Sequence, residues 1–191
     1  MNFFKNNFFV LLLVFLTFLL EYFSSFTQSF LRYERQSILD GELWRLISAH
    51  FVHGSWEHFF MNIFALIILW SLFKNLFSVL EWFLLTFVSA LGISLLFVVF
   101  MEHLSWYVGF SGVLHSIVVF GSIVEISKGK KEFFVLLIFV IVKILMEQFY
   151  GSYLDRVLAD ESVVVNAHLF GVIVGACIGV ILLRSGRYKT K

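Results

Sequence analysis

A serine set between glycines, Gly109-Phe110-Ser111-Gly112, and a histidine in Ala167-His168-Leu169-Phe170-Gly171 are the residues of this chain best suited to chemistry. Each lies in the outer part of a long apolar run, where lipid rejects a polar side chain at a cost of roughly several kcal/mol. A serine hydroxyl becomes a nucleophile when a neighbouring base takes its proton, so the pair implies serine hydrolysis inside a membrane. Gly109 lets the backbone turn sharply ahead of the serine and lets a substrate strand come close. A helix starting here aims unpaired N–H groups and its positive dipole end at Ser111, which favours a developing oxyanion. Gly-x-Ser-Gly is also a small-residue packing patch between membrane helices, and taken alone the tetrapeptide fits both uses.

The histidine motif continues as Gly171, Gly175 and Gly179, a stripe at i+4 that gives one helix a smooth face. Gly112 and Ser116 form a matching stripe, and close contact of the two would bring Ser111 within reach of His168. His58 and Asn62, also at i and i+4, share a helix face. Both can donate to an oxyanion beside the Ser111 N–H, and both would serve equally as an interhelical polar clamp. His50, His53 and His58 invite a metal reading, but no His-Glu-x-x-His and no set of carboxylates or thiolates completes a site. His50 and His53 are expected to form hydrogen bonds within their own folded loop. Lys143 and Glu147, at i and i+4, are expected to compensate each other facing the bundle or a water cavity. A transporter or proton relay built on Lys143, Glu147 and His168 is the competing use of that pair, although no internal repeat of the kind common in transporters is present.

These residues need elements that hold them at one place. The 191 residues are 60% hydrophobic and 14% charged, without proline, and the mean hydropathy is +0.94. Soluble domains carry about 45–50% apolar and about 25% charged residues, so the composition is that of a membrane protein. A net charge of +1 excludes a strong nucleic-acid footprint, and the single cysteine, Cys177, excludes an intramolecular disulfide. Spans need about 20 apolar residues. Six runs qualify, at 8–23, 56–73, 79–101, 110–126, 132–149 and 163–183, within a single membrane domain over 1–191. The first run has no small-residue cleavage site after it and is retained as a helix.

Charge placement orients the bundle. Lys5, Lys74, Lys128, Lys130, Lys131, Arg184, Arg187, Lys189 and Lys191 fall at the termini and in alternate loops. The remaining loops offset Arg32, Arg35, Arg45 and Arg156 with Glu34, Asp40, Glu42, Asp155, Asp160 and Glu161. By the positive-inside rule both termini are cytoplasmic. The second, fourth and sixth helices then run from outside to inside, and His58, Asn62, Ser111 and His168 all fall within about 10 Å of the outer surface.

With these residues assembled, the chain resembles the rhomboid family of intramembrane serine proteases over residues 43–180. The likeness rests on Trp44-Arg45, on His53 followed by His58-Phe59-Phe60-Met61-Asn62, on Gly109-Phe110-Ser111-Gly112, and on Ala167-His168-Leu169-Phe170-Gly171. It implies an all-α, six-helix membrane bundle with Ser111 as nucleophile and His168 as general base. It also implies an oxyanion hole of His58, Asn62 and the Ser111 N–H, with Gly109, Gly112, Gly171 and Gly175 in packing roles. His115 stands where many members have a tyrosine that packs on the catalytic histidine, and Ser116 replaces a smaller residue. No third acidic member is expected, and none is evident in the sequence. No cofactor or metal is called for. Gly109-Phe110-Ser111-Gly112-Val113-Leu114-His115 and Lys143-Ile144-Leu145-Met146-Glu147-Gln148 look like the rhombosortase branch. That branch implies membrane-anchored substrates with a C-terminal Gly-Gly anchor and basic tail, and the bacterial inner membrane. A catalytically inactive relative that binds membrane clients is the alternative.

Overall fold

The computed structural model describes residues 3–151 and 164–188, with side chains from residue 7 onward. Asp155, Arg156, Asp160, Glu161, Lys189, Lys191 and the expected start of the last run at 163 lie outside the described residues. The apolar, proline-free chain folds almost wholly as helix: α1 (Phe3–Tyr22), α2 (Ser24–Leu31), α3 (Arg35–Leu39), α4 (Arg45–Ser48), α5 (Trp56–Phe73), α6 (Val79–Phe100), α7 (Ser111–Ser127), α8 (Phe133–Tyr150) and α9 (Val165–Arg184). Two short strands, β1 (Tyr33–Glu34) and β2 (Trp106–Tyr107), pair antiparallel with Tyr33 opposite Tyr107.

The helices α5, α6, α8 and α9 are long and apolar enough to cross a membrane, and α1 joined to α2 across a 104° bend gives a fifth candidate. The run expected as the fourth span, 110–126, corresponds to α7, which has the same length but falls short of what a span requires. Apolar sequence continues through Val108 and Phe110, but this backbone is not helical, and α7 starts only at Ser111. Its 17 residues make about 25 Å at 1.5 Å per residue, against about 30 Å of hydrocarbon. Among the described residues four or five spans qualify by length and composition, and α7 is the expected span that these criteria leave unsupported.

Within the bundle α7 is the central post. A helix apolar on every side belongs inside a protein, and α7 is buried from Gly112 to Glu125 on nearly all faces. It is packed against α5, α6, α8 and, most closely, α9. Phe134, Ile138, Phe139, Leu145 and Phe149 of α8 are exposed, an apolar outer face whose backbone groups are satisfied within the helix, as a lipid environment requires.

The segment between α1 and α5 folds over one end of the bundle. Arg45 is buried and donates to the carbonyls of Ser29 (3.0 Å) and Arg32 (2.9 Å) while pairing with Glu42. The Trp44 indole donates to Phe30 O at 3.2 Å. These bonds close α2, β1 and α4 into one unit, and the β1–β2 pair ties that unit to the chain entering α7. His50 does not bond within this loop as expected. Its Nε2 lies 3.0 Å from Ser94 Oγ on α6, because the 3₁₀ turn Ala49–Phe51 lies against the helices beneath. His53 is also buried, and among the described residues its ring nitrogens have no hydrogen-bond partner.

Candidate active site

The approach to Ser111 is built from backbone. Tyr107, held in the β1–β2 pair, donates its hydroxyl to Gly109 O at 2.7 Å. Burial raises the Tyr107 phenol well above its ordinary value, so it stays a donor. Gly109 N–H donates to Ala49 O at 3.1 Å. Gly109 has φ +126°, and a Cβ there would sit 2.8 Å from His58 Cε1. Both conditions demand glycine. The chain then turns at buried Phe110, and Ser111 opens α7. The first-turn N–H groups of a helix have no intrahelical acceptor, which leaves positive potential around the Ser111 hydroxyl.

Glycines on α9 set how close His168 comes. A Cβ on Gly171 would lie 2.1 Å from Gly112 O, one on Gly175 would lie 2.4 Å from Ser116 O, and one on Gly112 would lie 2.8 Å from Ala167 O. The two helix backbones are therefore in direct contact. Ser116 is further tied to Ser89 of α6 through a 2.7 Å hydroxyl pair. Across this seam His168 Nε2 stands 2.8 Å from Ser111 Oγ, and the imidazole is 3% exposed.

Two more side chains frame His168. The His115 ring stacks on it with centroids 4.3 Å apart and planes 22° from parallel. His115 Nδ1 lies 2.8 Å from Ser111 O. A carbonyl only accepts, so His115 carries its proton on Nδ1 and donates. On the other side His168 Nδ1 meets Glu147 Oε2 at 2.8 Å. The second carboxylate oxygen pairs with Lys143 Nζ. An acidic residue thus does stand behind the histidine, which corrects the reading that none is evident. In sequence, Glu147 pairs with Lys143 and joins His168 only in the competing relay. The available signal was depth: α8 runs opposite to α7 and α9, so Glu147, within one turn of its end at Tyr150, returns to the level of Ser111.

His58 and Asn62 are buried on α5 and line, with Ser111, His115, His168 and Lys143, a cavity of about 300 Å³ between α5, α7 and α8. Ser55 caps α5 by accepting from His58 N–H at 3.2 Å. Asn62 Nδ2 donates to His58 O at 2.9 Å, and an amide NH₂ has a second proton to offer. His53 packs edge-on against His58, with ring centroids 5.3 Å apart. Among the described residues no three or more potential metal ligands form a group.

A shell of apolar helices around a buried polar cluster is the architecture of an integral, multi-pass membrane protein. Residues 40–185 match the family model of the Rhomboid domain, and the chain belongs to the rhomboid family, whose members are generally serine-type intramembrane proteases. No curated protein matches the sequence.

Proposed function

We propose that this protein is an intramembrane serine endopeptidase working through Ser111 and His168. The observation that carries the reading is the 2.8 Å contact between Ser111 Oγ and His168 Nε2 at the wall of a cavity that also holds His58 and Asn62. His168 takes the hydroxyl proton as Ser111 Oγ attacks the scissile carbonyl. The oxyanion is held by N–H groups at the start of α7 and by His58 and Asn62, each such donor being worth about 10²–10³ in rate. The tetrahedral intermediate collapses to an acyl-enzyme as His168 returns the proton to the leaving amine. Water, deprotonated by the same imidazole, then frees the acid and restores Ser111.

The cavity lies between α5 and α8, and apart from His115 and Lys143 its other lining residues, such as Ala65, Leu69, Val118 and Val140, are apolar. An unwound segment of a membrane anchor fits such a surface. Glycine costs a helix about 1 kcal/mol relative to alanine, so a Gly-Gly anchor presents a bond already prone to leave the helix. With the rhombosortase-like motifs around Ser111 and Glu147, the substrate class is proteins bearing a C-terminal Gly-Gly membrane anchor and basic tail. The positive-inside pattern supports a site near the extracytoplasmic face with both termini in the cytoplasm, and the rhombosortase resemblance points to a bacterial inner membrane.

In-gel labelling of membranes with a fluorophosphonate tests the reading. Wild type is expected to label, and Ser111→Ala and His168→Ala at matched expression are expected to lose the signal. Equal labelling of all three would remove the dyad as its source. Folded wild type that never labels, beside a positive control, would favour a client-binding relative.

A further inference from the structure

Glu147 is 7% exposed, and an ionised carboxylate at that burial costs several kcal/mol (roughly) unless both oxygens are partnered. One is held by Lys143, four residues earlier on α8. A pair whose purpose were mutual compensation would be complete there. The other oxygen is instead directed across the bundle to His168 Nδ1 on α9, at 2.8 Å. Ionised carboxylates have no proton to donate, so Nδ1 must carry the hydrogen and Nε2 must present its lone pair. That lone pair faces Ser111 Oγ. The arrangement selects the one tautomer able to accept the serine proton.

The groups around His168 fix the charge balance once it becomes imidazolium. They are Ser111 and His115 on α7, Lys143 and Glu147 on α8, and His58 and Asn62 across the cavity on α5. Glu147 is the only anion in this set. His115 stacks on the ring and bonds Ser111 O, so it flanks the proton path without entering it.

We infer that Glu147 is a positioning residue for His168, holding the Nδ1–H tautomer and stabilising the imidazolium formed during attack by Ser111, with Lys143 keeping the carboxylate ionised and in place. The inference rests on the serine-protease reading and extends its dyad to a Ser-His-Glu series.

The test measures the rate of fluorophosphonate labelling against probe concentration, which separates the maximal labelling rate from the half-saturating concentration. Glu147→Gln keeps size but offers an amide that can donate to Nδ1 and favour the wrong tautomer. The maximal rate is expected to fall about 10²–10⁴-fold, with half-saturation within about threefold and the fraction of protein that finally labels unchanged. Glu147→Asp should recover part of the rate. A merely structural role would lower the labelled fraction and leave the rate of the folded remainder alone. A Glu147→Gln rate within about threefold of wild type would overturn the inference while leaving the protease reading intact, provided that Ser111→Ala is silent. Persistent labelling of Ser111→Ala would instead sink the protease reading itself. Should Glu147→Gln fail to fold, ¹⁵N-histidine spectra of the wild type, assigned with His168→Ala, decide the matter. A proton on Nδ1 supports the inference, and one on Nε2 overturns it.

Discussion

Against α9, the central helix leaves no room for a methyl group, whereas between α5 and α8 it borders about 300 Å³ of open space. The first contact is backbone on backbone, through Gly112, Gly171, Ser116 and Gly175. The second is lined by side chains that can re-pack, among them Leu114, Leu136 and Phe139. Two reacting groups must stay within hydrogen-bond reach through every turnover, and a backbone seam without rotamers holds that distance best. A substrate of the proposed protease must enter and leave, and the α5–α8 side of α7 offers space for it beside Ser111. One helix thus serves a rigid and an accommodating task on its two sides.

The seam is where a single atom should do most damage. Gly171→Ala places a carbon 2.1 Å from Gly112 O, and neither backbone can yield without parting the helices. A displacement of about 1 Å between reacting groups can cost about 10² in rate, so fluorophosphonate labelling is expected to fall at least that far, with a lowered melting temperature. Gly175→Ala, at 2.4 Å from Ser116 O, should follow closely. Gly179→Ala meets only the Ile123 side chain, at 3.1 Å, and should be mild. Equal tolerance along all three positions would mean that the seam does not set the Ser111–His168 distance.

On the open side the expected effect is smaller and of another kind. Ala65 lines the cavity one turn beyond Asn62 along α5. Ala65→Leu fills part of that space without touching the Ser111–His168 contact. The KM for a Gly-Gly-anchored substrate should rise about tenfold, and labelling by the compact fluorophosphonate should stay within about twofold. A parallel fall in both would show that the two faces of α7 are mechanically one.

The two faces were unequally legible in sequence. The seam left a periodic record, since Gly171, Gly175 and Gly179 recur at i+4 and Gly112 and Ser116 answer them. Helices were legible because apolar runs bounded by charge leave few alternatives in a bilayer. Loop structure left no such record. Arg45 is held by carbonyls of Ser29 and Arg32, backbone acceptors that every residue carries and that composition cannot single out. The 104° bend between α1 and α2 has no proline to announce it. Glu147 was hidden for a different reason: Lys143 at i−4 already satisfied the rule for pairing charges on a helix, and the contact with His168 joins α8 to α9. The six-span expectation lacks support at α7, whose burial accounts for its apolar sequence as readily as lipid exposure would.

The weakest perturbation addresses the loop packed behind Gly109. His50 and His53 are buried, and burial lowers them from 6.5 to about 4 and about 3 respectively, with neighbouring His58 adding to the shift at His53. Both therefore stay neutral in the folded protein at pH values where the unfolded chain has protonated them. The unfolded state binds more protons below pH 6.5, so stability falls as pH drops through that value and keeps falling toward the folded-state values. Above pH 6.5 neither histidine contributes a slope. At pH 5.5 each should have cost about 1 kcal/mol, a melting shift of a few degrees in detergent. His50→Gln keeps a partner for Ser94 and should flatten the His50 share of the slope. An unchanged slope in His50→Gln would remove His50 as a source of the acid sensitivity, and only an unchanged slope in a His50→Gln, His53→Gln double variant would assign it away from this loop.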